Sequence, residues 1–534
     1  MSPQSYLLGI DQGTSGSRAL ILDGQGQVHG YGYRPLPRLY PQSGWVEQNP
    51  DVLSQGVVEA ISEALAQAGC EPAEIAACGI AGQRNTDFVW DARTGRPLAN
   101  AITWQDLRTT ALVEELAGWE LAGQRRYRLG YFPGPYSSAM HLAWRFRHQP
   151  EVIAAARQGY LRIGFSANWL LTSLGRPSGH YLDYGLVQQM GLYDFRAQQY
   201  WADWLAVLGL SCDPLPEPVP TVHPFGVLRL TSAEGAVADA PVLATIGNEQ
   251  AALLGHGCYR PGQAECTHGT ASFVDVVVGP TAPEQEKLNV YYAWSLPDPV
   301  QLPLIGNRPD NLDISTPKLR TQNSKLKTQN LEHTYCLEAD TTVSGAAIRW
   351  MRDEAGFFER DEEVGPLAAS VPDSAGVIFV PAFTGLNVPY NDRSARGTIL
   401  GLTLSSSRAH IVRAFLDSLG YQVRAILETI AAETGLRVEQ LSLGGGISKS
   451  DEACQIQADL TGIPIVRPAF TETAARAAAL LAGLGAGWWS TLVELPPLPG
   501  DSTMFEPRLS AEQRDAGYAR WQRAVARARD WQQP

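Results

Sequence analysis

Cysteine is sparse. Seven residues in 534 (Cys70, Cys78, Cys212, Cys258, Cys266, Cys336 and Cys454) are scattered, odd in number and free of any C-x-x-C pair. That pattern offers neither a disulfide framework nor a zinc site and predicts the reduced thiols of a cytoplasmic protein. Long apolar runs are missing too. None approaches the ~20 residues a membrane helix needs, and no charged-then-apolar leader opens the chain, so neither secretion nor a membrane span is expected. Positive charge is in deficit: 42 Lys and Arg against 55 Asp and Glu leave a formal charge of −13. An acidic surface of this kind argues against nucleic acid or an anionic membrane as partner.

What remains is a chain long enough for two or more domains, since single cores rarely grow beyond ~250–300 residues. Short apolar strands alternate with longer amphipathic segments, the pattern of an α/β protein. The most informative stretch is Asp11-Gln12-Gly13-Thr14-Ser15-Gly16-Ser17-Arg18, directly after the apolar run Tyr6-Leu7-Leu8-Gly9-Ile10. A strand that ends in an acid, glycines and hydroxyls can set backbone N–H groups against phosphate and a carboxylate near its metal ion. The next residues, Ala19 to Leu22 followed by Asp23-Gly24, read as a returning strand and a turn. The polar octet is therefore expected at the tip of a β-hairpin rather than at the start of a Walker-type helix.

Other strand ends carry similar signals. Ala73 to Arg84 reads as a helix end, a strand and a polar terminus, and ligands of α/β sheets collect at such termini. Ile246-Gly247-Asn248-Glu249-Gln250 and Thr267-His268-Gly269-Thr270-Ala271-Ser272 form a second set of glycine-bearing tips, with a domain boundary expected near 255–262. Further on, Val377–Pro381 reads as a strand and Ala409–Thr434 as a long helix closed by Gly435. Leu441 to Gly446 reads as a strand running into glycines whose bare backbone could lie flat against a nucleotide. A tandem heptad, Lys318–Ser324 and Lys325–Leu331, is polar and nearly free of large apolar groups. Two copies make neither a coiled coil nor a solenoid, so 308–333 is expected as an exposed insertion.

Separated segments agree in order with one family. Asp11–Arg18, Gly44-Trp45-Val46-Glu47-Gln48, Gly82-Gln83-Arg84, Ala101–Gln105, Pro381–Leu386 through Pro389-Tyr390, Ala395-Arg396-Gly397 and Gly445-Gly446 together resemble the FGGY carbohydrate kinases, and within them the glycerol kinases, from about residue 6 to about residue 490. The resemblance implies two actin-like, ribonuclease-H-type α/β domains with a cleft between them. They would comprise residues 1–256 and 257–500, followed by a helical tail at 501–534. It implies ATP and Mg²⁺ as cofactors and a small-molecule polyol as substrate, phosphorylated at a primary hydroxyl, and it leaves a homodimer or homotetramer open. By the same resemblance Asp11, Gly13, Thr14, Ser15 and Arg18 would hold phosphates and metal, with Asp11 the metal ligand. Gly269, Thr270, Gly345, Arg349, Gly445 and Gly446 would hold the nucleotide, and Arg84, Asn85, Trp104, Tyr136, Asn248 and Phe273 the polyol.

The chain also departs from the family pattern. Asn248 stands where an Asp accepts the proton of the attacking hydroxyl, and Asn85 stands where a Glu lines the pocket. An amide binds a hydroxyl but takes no proton, which would slow proton removal by ~10²–10⁴-fold unless a neighbour substitutes. Glu249 is the first candidate for that catalytic part, ahead of Asp87 and Asp106. Gly444, Ser450 and Arg476 replace an Asp, an Asn and a Gly of the pattern, which bears on nucleotide affinity. A glycine loop for a sugar-bisphosphate regulator is absent at Ala233–Ala236. The leading expectation is a polyol kinase. The alternatives are a non-catalytic nucleotide or polyol sensor and a kinase of a larger sugar such as a pentulose.

Overall fold

The computed structural model describes residues 5–297 and 331–531. The chain forms two compact units. The first comprises Met1–Gly257, Tyr291–Tyr335 and Glu472–Pro499, and the second Cys258–Val290, Cys336–Thr471 and Gly500–Pro534.

The first unit is built on strands β1 (Tyr6–Gln12), β2 (Gly16–Leu22), β3 (Val28–Pro35), β4 (Ile75–Gly82), β5 (Gly175–Pro177), β6 (Val222–Thr231) and β7 (Val237–Gly247). They form one mixed sheet in the order β3-β2-β1-β4-β7-β6-β5. The expected hairpin is present: β1 and β2 pair antiparallel with Asp11 opposite Arg18, and β1, β4 and β7 run parallel. In that register Gln12, Gly82 and Gly247 lie level, so three parallel strands end together.

Glycine lets helices lie directly on this sheet. A Cβ at Gly9 would sit 1.9 Å from the Ala475 carbonyl oxygen and one at Gly79 1.9 Å from that of Ala478, so the alanine-rich helix Thr473–Gly485 touches bare backbone. Gly30 and Gly32 do the same for the helix Pro50–Ala68, with Cβ positions 2.0 Å from the Ala64 and Ala60 carbonyls. Gly9 pairs with Leu20 and Leu20 with Tyr31, so Gly30 and Gly32, one residue either side of Tyr31, face the other way. The two helices therefore cover opposite faces of the sheet.

A second sheet consists of β8 (Ala264–His268), β9 (Ser272–Gly279), β10 (Asn289–Pro297), β11 (Leu331–Thr341), β12 (Leu441–Gly445), β13 (Ile465–Arg467) and β14 (Thr503–Phe505), in the order β10-β11-β9-β8-β12-β13-β14. The long helix Arg408–Thr434 ends at Gly435, whose φ of +74° makes the left-handed cap. Its buried Val412, Phe415 and Leu419 pack with Met351, Phe379 and Ile456. Residues 501–534, expected as a tail, supply the edge strand β14 and a helix, Ala511–Ala528, whose Trp521 is fully buried. The expected insertion at 308–333 lies outside the described residues except for 331–333, which open β11. No helix among the described residues is long and apolar enough to cross a membrane.

Candidate active site

The carboxyl ends of β1, β4 and β7 gather most of the first unit's candidate residues on one edge of the sheet, where ligands of α/β proteins bind. The tip from Gly13 to Gly16 is closed by a hydrogen bond from the Gly13 N–H to the Gly16 carbonyl at 3.0 Å. Arg18 donates to Asp11 Oδ2 at 3.2 Å, reaches Glu472 at 3.0 Å and lies over the Tyr33 ring. The other oxygen, Asp11 Oδ1, is buried and has no hydrogen-bond partner among the described residues. Burial pushes the Asp11 carboxyl above its ordinary pKa, against the opposing pull of Arg18. A buried carboxylate oxygen without a partner, beside a glycine-bearing turn, fits a hard divalent cation such as Mg²⁺, which would remove that penalty.

The hairpin is held from two sides. Gln48 Nε2 donates to the Thr14 carbonyl at 2.9 Å, and Trp104 Nε1 donates to Thr14 Oγ1 at 2.8 Å. Gln83 Nε2 bridges Gln12 Oε1 and Gln48 Oε1 at 2.9 and 2.8 Å, tying β1 to β4. The segment Gly44–Gln48 is itself anchored by Arg108, which stacks on Trp45 and pairs with Glu47 and Asp106. These residues position the hairpin, and the amides Gln12 and Gln83 carried no signal of that role.

Arg84 follows the end of β4. Its side chain lies over Gly247, where a Cβ would sit 3.3 Å from Arg84 Cδ, and its guanidinium faces the Tyr291 ring at 5.7 Å. Asn85 takes a left-handed backbone, φ 51°, a conformation Asn tolerates better than most residues. It donates to Gln189 at 3.4 Å. Tyr136 is half-buried and donates to the Phe132 carbonyl at 2.8 Å. Beyond Gly247, Asn248 opens the helix Asn248–Gly255 and donates from Nδ2 to Glu249 Oε1 at 2.8 Å, so amide and carboxylate act as a linked pair.

Two carboxyls expected as candidate bases, Asp87 and Asp106, are otherwise engaged. Asp87 is fully buried between His141 and Arg145; burial alone would raise its pKa, but the Arg145 charge and the His141 hydrogen bond outweigh it and hold the carboxyl below its ordinary value. Asp106 is fully buried and accepts from the backbone N–H groups of Val46 and Arg108 as well as from the Arg108 guanidinium. Both are structural ion pairs. A carboxyl absent from the sequence argument, Asp183, is buried at the start of the helix Tyr184–Gln189 and accepts from Gly185, Leu186 and Thr245. Burial pushes it up to about 7.

In the second unit the nucleotide candidates converge. The Gly345 N–H donates to the Gly269 carbonyl at 3.0 Å, and the Ser344 and Ala346 N–H groups donate to that of Thr270. A Cβ at Gly345 would lie 2.5 Å from the Gly269 oxygen. Arg349 follows one turn later and is exposed. His268 pairs with Gly445 across β8 and β12, and a Cβ at Gly445 would lie 2.2 Å from the His268 carbonyl. Gly446 faces open space. Phe273, half-buried on β9, pairs with Thr267.

The remaining departures have local tasks. Ser450 caps the helix Asp451–Thr461 by accepting from the Ala453 N–H at 3.2 Å. Arg476 belongs to the first unit, buried and donating to the Pro496 and Pro497 carbonyls at 2.5 and 2.7 Å. Close approach of its helix is secured by Gly9 and Gly79 on the strands instead.

Residues 6–255 match the N-terminal domain of the FGGY family of carbohydrate kinases, and residues 311–486 its C-terminal domain. The chain is 36% identical to a glycerol kinase of Symbiobacterium thermophilum over 99% of both chains, and 38% identical to one of Aromatoleum aromaticum over the same shares. Among solved structures, the Plasmodium falciparum glycerol kinase with ADP superposes with a TM-score of 0.84 at 24% identity, covering 98% of each chain. A xylulose kinase of Rhodospirillum rubrum reaches 0.78 at 22%, again over 98% of each. These superpositions establish the two-domain α/β fold, and the full-length identity to curated relatives goes further: the chain belongs to the FGGY family of carbohydrate kinases.

Proposed function

We propose that the chain is an ATP-dependent glycerol kinase, transferring the γ-phosphoryl group to a primary hydroxyl of glycerol. The observation that carries the reading is full-length identity above one third to glycerol kinases. The bond from Trp104 to Thr14 supports it, because it joins a polyol-pocket wall to the phosphate hairpin.

Phosphoryl transfer needs little covalent help from the protein; positioning and charge neutralisation supply most of the rate. The backbone N–H groups of the hairpin and the Arg18 charge are suited to the phosphates. Asp11 would hold Mg²⁺ through its buried Oδ1, and the ion would neutralise charge on the transferred group. In the second unit, Gly269, Thr270, Gly345 and Arg349, with Gly445 and Gly446, are assigned to the nucleotide.

In the reaction the glycerol oxygen bonds to the γ-phosphorus, the bond from phosphorus to the ADP oxygen breaks, and the hydroxyl loses its proton. The attacking hydroxyl gives its proton to the Glu249 carboxylate, which Asn248 orients by donating from Nδ2 to Glu249 Oε1. Arg84, Asn85, Trp104 and Tyr136 of the first unit are assigned to the polyol. A cytoplasmic setting is in keeping with seven free thiols.

The test is ADP release from Mg-ATP and glycerol by the natural protein, Glu249→Gln and Asn248→Asp. Glu249→Gln should lower kcat by about 10²-fold or more, whereas Asn248→Asp should keep or raise it. Full activity in Glu249→Gln would remove Glu249 from the chemistry. Glycerol-independent ATP turnover in all three would end the reading.

A further inference from the structure

Asn85 and Gln189 lie 104 residues apart in sequence and meet inside the first unit. Both are at least nine-tenths buried. One long hydrogen bond joins them, Asn85 Nδ2 to Gln189 Oε1 at 3.4 Å. It leaves Asn85 Oδ1 and Gln189 Nε2 buried without a hydrogen-bond partner among the described residues. Exchanging oxygen and nitrogen in both amides gives the same result, because a pair sharing one bond always retains one acceptor and one donor. Burying both atoms unsatisfied is costly, so an adjacent unsatisfied acceptor and donor mark a place for a polar ligand.

The two residues are held independently of each other. The backbone of Gln189 is fixed where Tyr131 Oη donates to its carbonyl at 3.0 Å, at the end of the helix that Asp183 caps. Asn85 is displayed by its left-handed backbone directly after Arg84. Neither amide carries charge, so the pair suits a group that donates one hydrogen bond and accepts another. An aliphatic hydroxyl does both.

We propose that Gln189, paired with Asn85, is a specificity-determining residue that reads one hydroxyl of the polyol, distinct from the one phosphorylated. The hydroxyl donates to Asn85 Oδ1 and accepts from Gln189 Nε2. The proposal rests on the kinase reading only for the identity of the polyol. A site built to hydrogen-bond a hydroxyl rejects the analogue that lacks it, because the protein's own buried groups are then left unpaired.

The experiment measures binding of glycerol, 1,2-propanediol and 1,3-propanediol to the full chain by calorimetry, alongside ADP release. The natural protein should bind glycerol about 10-fold or more tightly than one of the two diols, the one lacking the read hydroxyl. Gln189→Met, which keeps the shape and removes the donor, should weaken glycerol by about 10-fold and that diol by less than about threefold, with the kinetic effect falling on KM rather than kcat. Asn85→Gly, compatible with the left-handed backbone, should reproduce the pattern and guards against a misfolded Met variant.

Equal weakening of all three ligands by the variants, or none, would overturn the proposal, as would a natural protein that binds both diols as well as glycerol. Discrimination without ADP release would sink the kinase reading and sustain the hydroxyl reader. Turnover of glycerol with discrimination intact in both variants would do the reverse. No binding of any of the three would defeat both.

Discussion

The indole Nε1 of Trp104 donates to Thr14 Oγ1 at 2.8 Å, so a residue assigned to the polyol holds the hydroxyl of a residue assigned to phosphate. The same threonine is gripped through its carbonyl by Gln48. The hairpin is thus fixed by the segments Gly44–Gln48 and Ala101–Gln105, within a single unit.

If that bond orients the hairpin, Trp104→Phe, which keeps an aromatic wall and removes the donor, should lower kcat/KM for ATP by roughly 10-fold. Steady-state kinetics with ATP varied at saturating glycerol checks this. An effect confined to the glycerol KM would mean that the indole serves only as a wall.

Asp11→Asn keeps the volume and the capacity to accept one hydrogen bond but weakens any cation site. Turnover should fall by about 100-fold or more, and raising Mg²⁺ should recover part of it. Activity within about threefold of the natural protein at every Mg²⁺ concentration would reject Asp11 as the metal ligand.

Asp87 should behave as a structural acid. Asp87→Asn leaves the Arg145 charge buried without its counter-charge and should cost about 3–5 kcal/mol in denaturant unfolding. The pH profile of kcat in the protein that remains folded should be unmoved. A displaced acidic limb would instead make Asp87 part of the proton path.

Asp183 makes stability depend on pH. Its folded pKa of about 7 lies above the ordinary 3.8, so between those values the native state holds a proton that the unfolded chain has released. Stability from this group is complete below the lower value and declines as pH rises towards 7, by up to ~1.4 kcal/mol per pH unit. Asp183→Asn retains a good helix cap and should flatten the profile, raising the melting temperature at pH 8 by at least about 2 °C relative to the natural protein. Parallel profiles for the two proteins would show that Asp183 is ionised throughout.

The sequence was most legible where structure is local. Apolar Tyr6–Ile10, the glycine-bearing tip and returning Ala19–Leu22 are contiguous, and they form the expected hairpin. Gly435 closes the long helix as its position implied. What escaped was long-range. Asp87 looked like a spare base because His141 and Arg145 lie 54 and 58 residues away. Gln189 had no signal because an amide gains meaning only from its partner, here Asn85. Arg476 looked like an obstacle to close helix packing, yet the space that packing needs is made by Gly9 and Gly79, far earlier in the chain. The tail at 501–534 hid a strand of three residues, Thr503–Phe505, too short to show a period.

ADP release from Mg-ATP in the presence of glycerol, short diols and pentuloses tests the central claim most directly. Glycerol-dependent release by the natural protein, with glycerol preferred over the pentuloses, is the predicted result. No acceptor-dependent release with any of them, from protein that still binds glycerol and Mg-ATP, would contradict it and leave a chain that senses these ligands without joining them.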